Sequence, residues 1–156
     1  MRHSILTITL LFSLNSISQI LTQDSKFTEI GAAKNFDITI AKMYKVDIEP
    51  AYYFIDFNNI ESENIDDMTS FGFFDIDGAF EKLYENVVDG FKNKSDSIIL
   101  LIGNGKLKIE YSKHTLGRFR FVFTDKSGIK DSSDFITKKQ FSKLFAKKFK
   151  KADFKN

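Results

Sequence analysis

Arg118 and Arg120 are the only arginines beyond Arg2, and their i, i+2 spacing puts both guanidiniums on one face of a strand. Lys106 and Lys108 repeat that spacing one hairpin earlier. Four cations on one sheet face could hold a phosphate, a carboxylate or an acidic polymer through charge-assisted hydrogen bonds. The competing expectation is that these side chains simply solvate the outer face and discourage edge pairing.

A second constellation is Asp75-Ile76-Asp77-Gly78, in which alternate oxygens before a glycine suggest the middle of a calcium loop. The match is partial, because Phe73 stands where a further oxygen ligand belongs and the distal Glu is missing. Calcium through Asp75 and Asp77 is therefore the one cofactor expectation, set against a solvated loop in which Asp77 caps the following helix. Otherwise the sequence implies no cofactor.

Beyond His3 the chain has one histidine, His114, so a histidine-rich zinc site is excluded by counting. Cysteine and tryptophan are absent, which removes thiol nucleophiles, thiolate metal sites, iron–sulfur clusters and a lipidated cysteine. No serine sits in a G-x-S-x-G elbow, and no glycine loop has phosphate-cradling spacing. The residue inventory points away from catalysis.

The elements that must position these side chains follow from periodicity. Residues 1–18 read as a cleaved signal peptide: Arg2 and His3, an apolar run from Ile5 to Leu14, then Ser16-Ile17-Ser18. That run is too short to span a bilayer, so export to the periplasm or medium is expected, without a membrane span. Residues 19–35 read as an irregular arm with a short helix over 26–33, residues 36–150 as one domain, and 151–156 as a basic tail. The 18 phenylalanines argue for a substantial core.

Within the domain, Phe36, Ile38, Ile40, Tyr44 and Val46 alternate with polar residues as the buried face of a strand, and Tyr52 to Phe57 supplies its antiparallel partner. Residues 58–70 read as a long acidic connection. Phe80, Leu83, Tyr84, Val87, Val88 and Phe91 recur at helical spacing. Ile98 to Ile102 is apolar on both faces and predicts a central strand covered on both sides or at least flanked by other strands. Gly103-Asn104-Gly105 then turns the chain into a meander whose Leu107, Ile109, Tyr111, Phe119, Phe121 and Phe123 point inward. Thr137 with Gln140 has capping-box spacing and opens a final helix bearing Phe141, Leu144, Phe145 and Phe149. The expected fold is α+β, an antiparallel sheet of about five strands in the order ββαβββα with helices on one face.

Charge is nearly balanced at +2 but segregated. No lysine or arginine lies between Val46 and Glu81, whereas lysines dominate from Lys138 onward. The leading expectation is an exported, soluble, non-enzymatic binding domain for an anionic ligand or a protein partner, using the basic face or the acidic segment 61–77. Nucleic acid is not expected, since stacking aromatics are missing from the basic face. The alternative is a small hydrolase or a sugar- or lipid-binding protein. Its cavity would lie between helix and sheet, lined by Tyr84, Tyr111 and the meander phenylalanines, with Asp75 or Asp77 at its mouth.

Overall fold

The computed structural model describes residues 26–64, 67–115 and 117–147. The expected signal peptide over 1–18, the start of the expected arm, Asp66, Phe149 and the expected tail over 151–156 lie outside the described residues.

The fold is α+β and cysteine-free, but it holds two antiparallel sheets rather than one. The first sheet runs in sequence order: β1 (Phe27–Asn35), β2 (Ile38–Val46), β3 (Tyr52–Asn58) and β4 (Met68–Phe74). A single 3-10 turn at Ile76–Gly78 leads into α1 (Ala79–Lys92). The second sheet follows: β5 (Ser97–Ile102), β6 (Gly105–Tyr111), β7 (Arg118–Asp125) and β8 (Lys130–Ser132), with β9 (Ile136–Thr137) also paired to β7. The chain continues into α2 (Lys138–Leu144). The observed order is thus ββββαβββββα, which corrects the single-sheet ββαβββα expectation.

The expected β2–β3 pair is present, with Tyr44 opposite Phe54 and Met43 opposite Ile55. Its facing is as expected only in part: Ile40 and Val46 are buried, but Ile38 is exposed. Ala41 and Met43 are fully buried, whereas Tyr44 lies half-buried on the outer face, and Phe36 sits in the β1–β2 turn at 95% exposure.

Phe27–Asn35, expected as arm and short helix, is a strand because α2 lies directly on it. Gly31 has no room for a Cβ beneath the carbonyls of Lys143 and Leu144, so the small residues of Gly31-Ala32-Ala33 answer a packing demand. Two register shifts, at Glu29/Gly31 and Ala33/Lys34, break the alternation that would have announced a strand.

β4 replaces the end of the acidic connection and places Phe71 in the core. Asp75 takes the capping role assigned to Asp77: its Oδ1 accepts from the Phe80 N–H at 3.0 Å, while Asp77 adopts a left-handed φ of 53°. α1 buries the anticipated Leu83, Tyr84, Val87, Val88 and Phe91. The capping box of α2 forms as read, with Thr137 Oγ1 accepting from Gln140 N and Gln140 Oε1 accepting from Thr137 N.

The two sheets meet through aromatic rings. Phe71 of β4 packs on Phe121 and Phe123 of β7 at 5.3 and 6.1 Å between centroids. Phe119 continues this layer to Phe91 of α1 and Phe141 of α2. Tyr84 stacks on Phe141 at 5.1 Å, and Phe145 bridges Phe141 to Phe80. One apolar cluster therefore joins both sheets and both helices, and burying that much aromatic area offsets the absence of disulfides.

β5 corrects the expectation of a covered central strand. Among the described residues it pairs only with β6, its burial alternates, and Ile99 and Leu101 are 64% and 80% exposed.

Candidate functional site

The meander places Lys106, Lys108, Glu110, Arg118 and Arg120 on the outer face of the second sheet, opposite the buried Leu107, Ile109, Phe119 and Phe121. Strand alternation requires this, since successive residues point to opposite faces. Glu110 stands directly across from Arg120 and reorganises the patch. Its Oε2 accepts from Arg120 Nε at 2.7 Å, and its Oε1 accepts from Lys108 Nζ at 2.6 Å. Arg120 also lies over the Phe135 ring, 5.5 Å from the centroid.

Two of the four expected cations are therefore committed to one carboxylate, and the exposed Lys106 and Arg118 remain at the margins. The hydrogen bond from Lys108, joined by Arg120, holds the Glu110 carboxyl below its ordinary value against a partial opposing effect of burial. A lowered carboxyl value means that the cluster stabilises the fold above the unfolded value of about 4.3 and loses that contribution as pH falls through the folded value. Glu110→Gln is expected to flatten the acid limb of the melting curve between pH 5 and 3 by under about 1 kcal/mol, the range of partly exposed pairs. Wild-type and variant melting temperatures that fall in parallel over that interval would contradict this.

His114 is exposed in the β6–β7 turn, at an open hollow of about 390 Å³ shared with Glu110, Arg118 and Phe135. Among the described residues it makes no hydrogen bond to a carboxylate or hydroxyl that could orient it as a base. Asp75 and Asp77 lie on either side of Ile76 in the turn before α1, with Asp75 held by the Phe80 amide. No group of three or more His, Cys, Asp or Glu side chains among the described residues is arranged to hold a metal ion.

The acidic segment is tied down at its start. Asn59 donates to Asp131 Oδ1 at 2.7 Å and accepts from Ser132 N, and Ile60 N donates to Ser132 O. Tyr84, Tyr111, Phe119, Phe121 and Phe123, the rings expected to line a cavity, are all buried and pack on one another and on their neighbours.

Sequence reasoning missed a surface on the first sheet. Its outer face carries a row of rings across every strand: Phe27 (β1), Tyr44 (β2), Phe54 and Tyr52 (β3) and Phe74 (β4). Phe27 meets Tyr44 edge-on at 6.1 Å, Tyr44 stacks on Phe54 at 4.9 Å, Phe54 on Tyr52 at 6.4 Å, and Tyr52 contacts Phe74 at 5.0 Å. Phe27 and Phe74, at the two ends, are 62% and 38% exposed. Glu29 paired with Lys42, and Asp56 accepting from Ser70, border the row on the same face.

At its Phe74 end the row opens into a groove of about 770 Å³ between β4, α1 and β5. Ile76, Leu100 and Leu101 give that groove apolar walls, with Lys82 and Lys126 also lining it. Among the described residues, no helix is long and apolar enough to cross a membrane. No family model, curated protein or solved structure matches the chain.

Proposed function

We propose that this chain is an exported, non-enzymatic interaction domain that meets a protein partner through the aromatic row Phe27–Tyr44–Phe54–Tyr52–Phe74. The row itself carries the reading. Five rings on the outward face of a sheet whose inner face is already packed add nothing to the core, and large exposed apolar patches on a folded domain mark interaction surfaces. Aromatic residues bordered by polar ones match the composition of an interface centre with its rim.

Ring orientation favours a protein over a sugar. Tyr44, Phe54 and Tyr52 stack on one another with interplanar angles of 19° and 28°, so their faces are turned to each other and their edges outward. Sugar rings need open aromatic faces, whereas edges and phenolic hydroxyls suit irregular apolar and hydrogen-bonding protein surfaces. Export rests on the leader-like pattern of residues 1–18. The cation face around Lys106, Lys108, Arg118 and Arg120 is the second surface for an anionic polymer, reduced by the commitment of Lys108 and Arg120 to Glu110.

A photo-crosslinking residue placed at Phe27, at Phe74 and, as control, at the exposed Lys94 just past the end of α1 tests the reading in cells that make the protein. Discrete adducts of one mass from positions 27 and 74, absent from 94, are expected. Equal labelling at all three positions, or none at 27 and 74, would sink the proposal.

A further inference from the structure

Besides the two-residue β9, which runs straight into α2, four strands border the two sheets, and two of those borders are covered. α2 overlies β1 and its Gln140 Nε2 donates to the Lys34 carbonyl at 2.7 Å. β8 is closed by the Asn59-Ile60 segment, whose groups take both the N–H and the C=O of Ser132. β4 and β5 have no such cover among the described residues, and both line the same groove.

The hydrogen-bond parity of β5 follows from its hairpin. Ile102 pairs with Gly105 across the two-residue turn, and Tyr111 N donates to Asp96 O at 3.0 Å at the other end. Even-numbered residues of β5 therefore bond to β6, and Ser97, Ile99 and Leu101 direct their N–H and C=O groups away from it. No backbone hydrogen bond among the described residues reaches those groups. An open row of this kind is satisfied best by another extended backbone.

The geometry points to a second copy of this chain as that backbone, joined through β5 in a two-fold antiparallel pair centred on Leu100. Ser97-Ile98-Ile99-Leu100-Leu101-Ile102 contains no charge, no proline and no bulge, the devices that keep natural edges apart. Its composition is self-complementary, as a two-fold interface requires. The register sets Ile99 against Leu101 of the second copy and Leu101 against its Ile99. Both are outward-bonding residues, so each N–H meets a carbonyl and the four aliphatic side chains cluster on one face.

Charge agrees with this register. Asp96 falls opposite Asn104 of the second copy, and Lys126 lines the groove beside Asn104, so the Asp96 carboxylate, which its own Lys113 contacts at 3.3 Å, also faces the Lys126 corner of the second copy. A six-residue ribbon is smaller than the roughly 800 Å² per partner of a standard interface, so the dimer is expected to be reversible.

Sedimentation velocity from about 1 to 100 µM, spanning the range of reversible association, combined with residue-resolved amide exchange, tests this. The purified protein is expected to shift from monomer to dimer as concentration rises. The amides of Ile99 and Leu101 are expected to slow at least tenfold at high concentration, while those of Ile98 and Leu100 are protected throughout. Ile99→Lys and, separately, Leu101→Lys are expected to remain monomeric with unchanged melting temperature, since both side chains are exposed. A wild type that stays monomeric overturns the inference. So does a dimer whose Ile99 and Leu101 amides exchange freely, or one that survives both lysine variants.

Discussion

Replacing Phe121 by alanine is expected to lower unfolding free energy by about 3–5 kcal/mol, the range for deleting a fully buried aromatic side chain. Phe121 is inaccessible to solvent and touches both sheets at once, with Phe119 at 5.2 Å, Phe71 at 5.3 Å and Phe57 at 6.5 Å. The space it leaves is hard to close. β7 is held by β6 on one side and by β8 and β9 on the other, and the Phe121 amide is itself anchored by Ser133 Oγ at 3.0 Å. Where the backbone cannot collapse, the cavity contribution adds to the lost transfer energy. Phe27→Ala should stay within about 0.5 kcal/mol, as expected for an exposed site. Urea unfolding with an unchanged m-value reads both variants, and a Phe121→Ala loss below about 1 kcal/mol would show that the sheets are not joined through this ring.

The parts of the fold that could be read in advance are those where one face is apolar and the other polar. β6 alternates throughout and β7 everywhere but at the buried Val122, so the spacing predicts Leu107, Ile109, Phe119 and Phe121 in the core, where they are fully buried. α1 and the capping box of α2 were legible for the same reason, a local pattern with a single structural solution. β1 failed because its small residues record the close approach of α2, a long-range fact with no local signature. β4 failed because Gly72, which lies under the Tyr52 side chain, interrupts a short apolar run. β5 misled because a continuous apolar run describes a doubly covered strand and an unprotected edge equally well.

The candidate surface was hidden by a related ambiguity. Tyr52 to Phe57 is aromatic or aliphatic at five of its six positions, so period-two reasoning cannot say which rings face inward. Tyr44 inherited the error, and with it the outer row disappeared into an imagined core. The four cations share one sheet face, as their spacing predicts, but Lys108 and Arg120 are taken up by Glu110 standing across from Arg120, which only the strand register reveals.

Gly31→Ala is expected to destabilise by about 1–3 kcal/mol or more, the cost of forcing atoms into a packed contact. The local tendency runs the other way, since alanine restricts the unfolded chain and usually adds about 0.4–1 kcal/mol where its backbone conformation is allowed. Gly31 is not among the glycines with positive φ, so backbone strain does not enter. Space decides: a Cβ there would lie 2.8 Å from the Leu144 carbonyl oxygen and closer still to that of Lys143. Both obstacles are backbone at the end of α2, which cannot rotate aside as a side chain would. Relief requires α2 to lift from β1, stretching the Gln140–Lys34 hydrogen bond and loosening the fully buried Phe141 and Leu144. Amide exchange should therefore accelerate in α2 before it does in β6 or β7. Gly103→Ala is the matched control, because nothing lies within 4 Å of its added methyl group. If the two alanine variants unfold at the same denaturant concentration, the close seating of α2 on β1 is wrong.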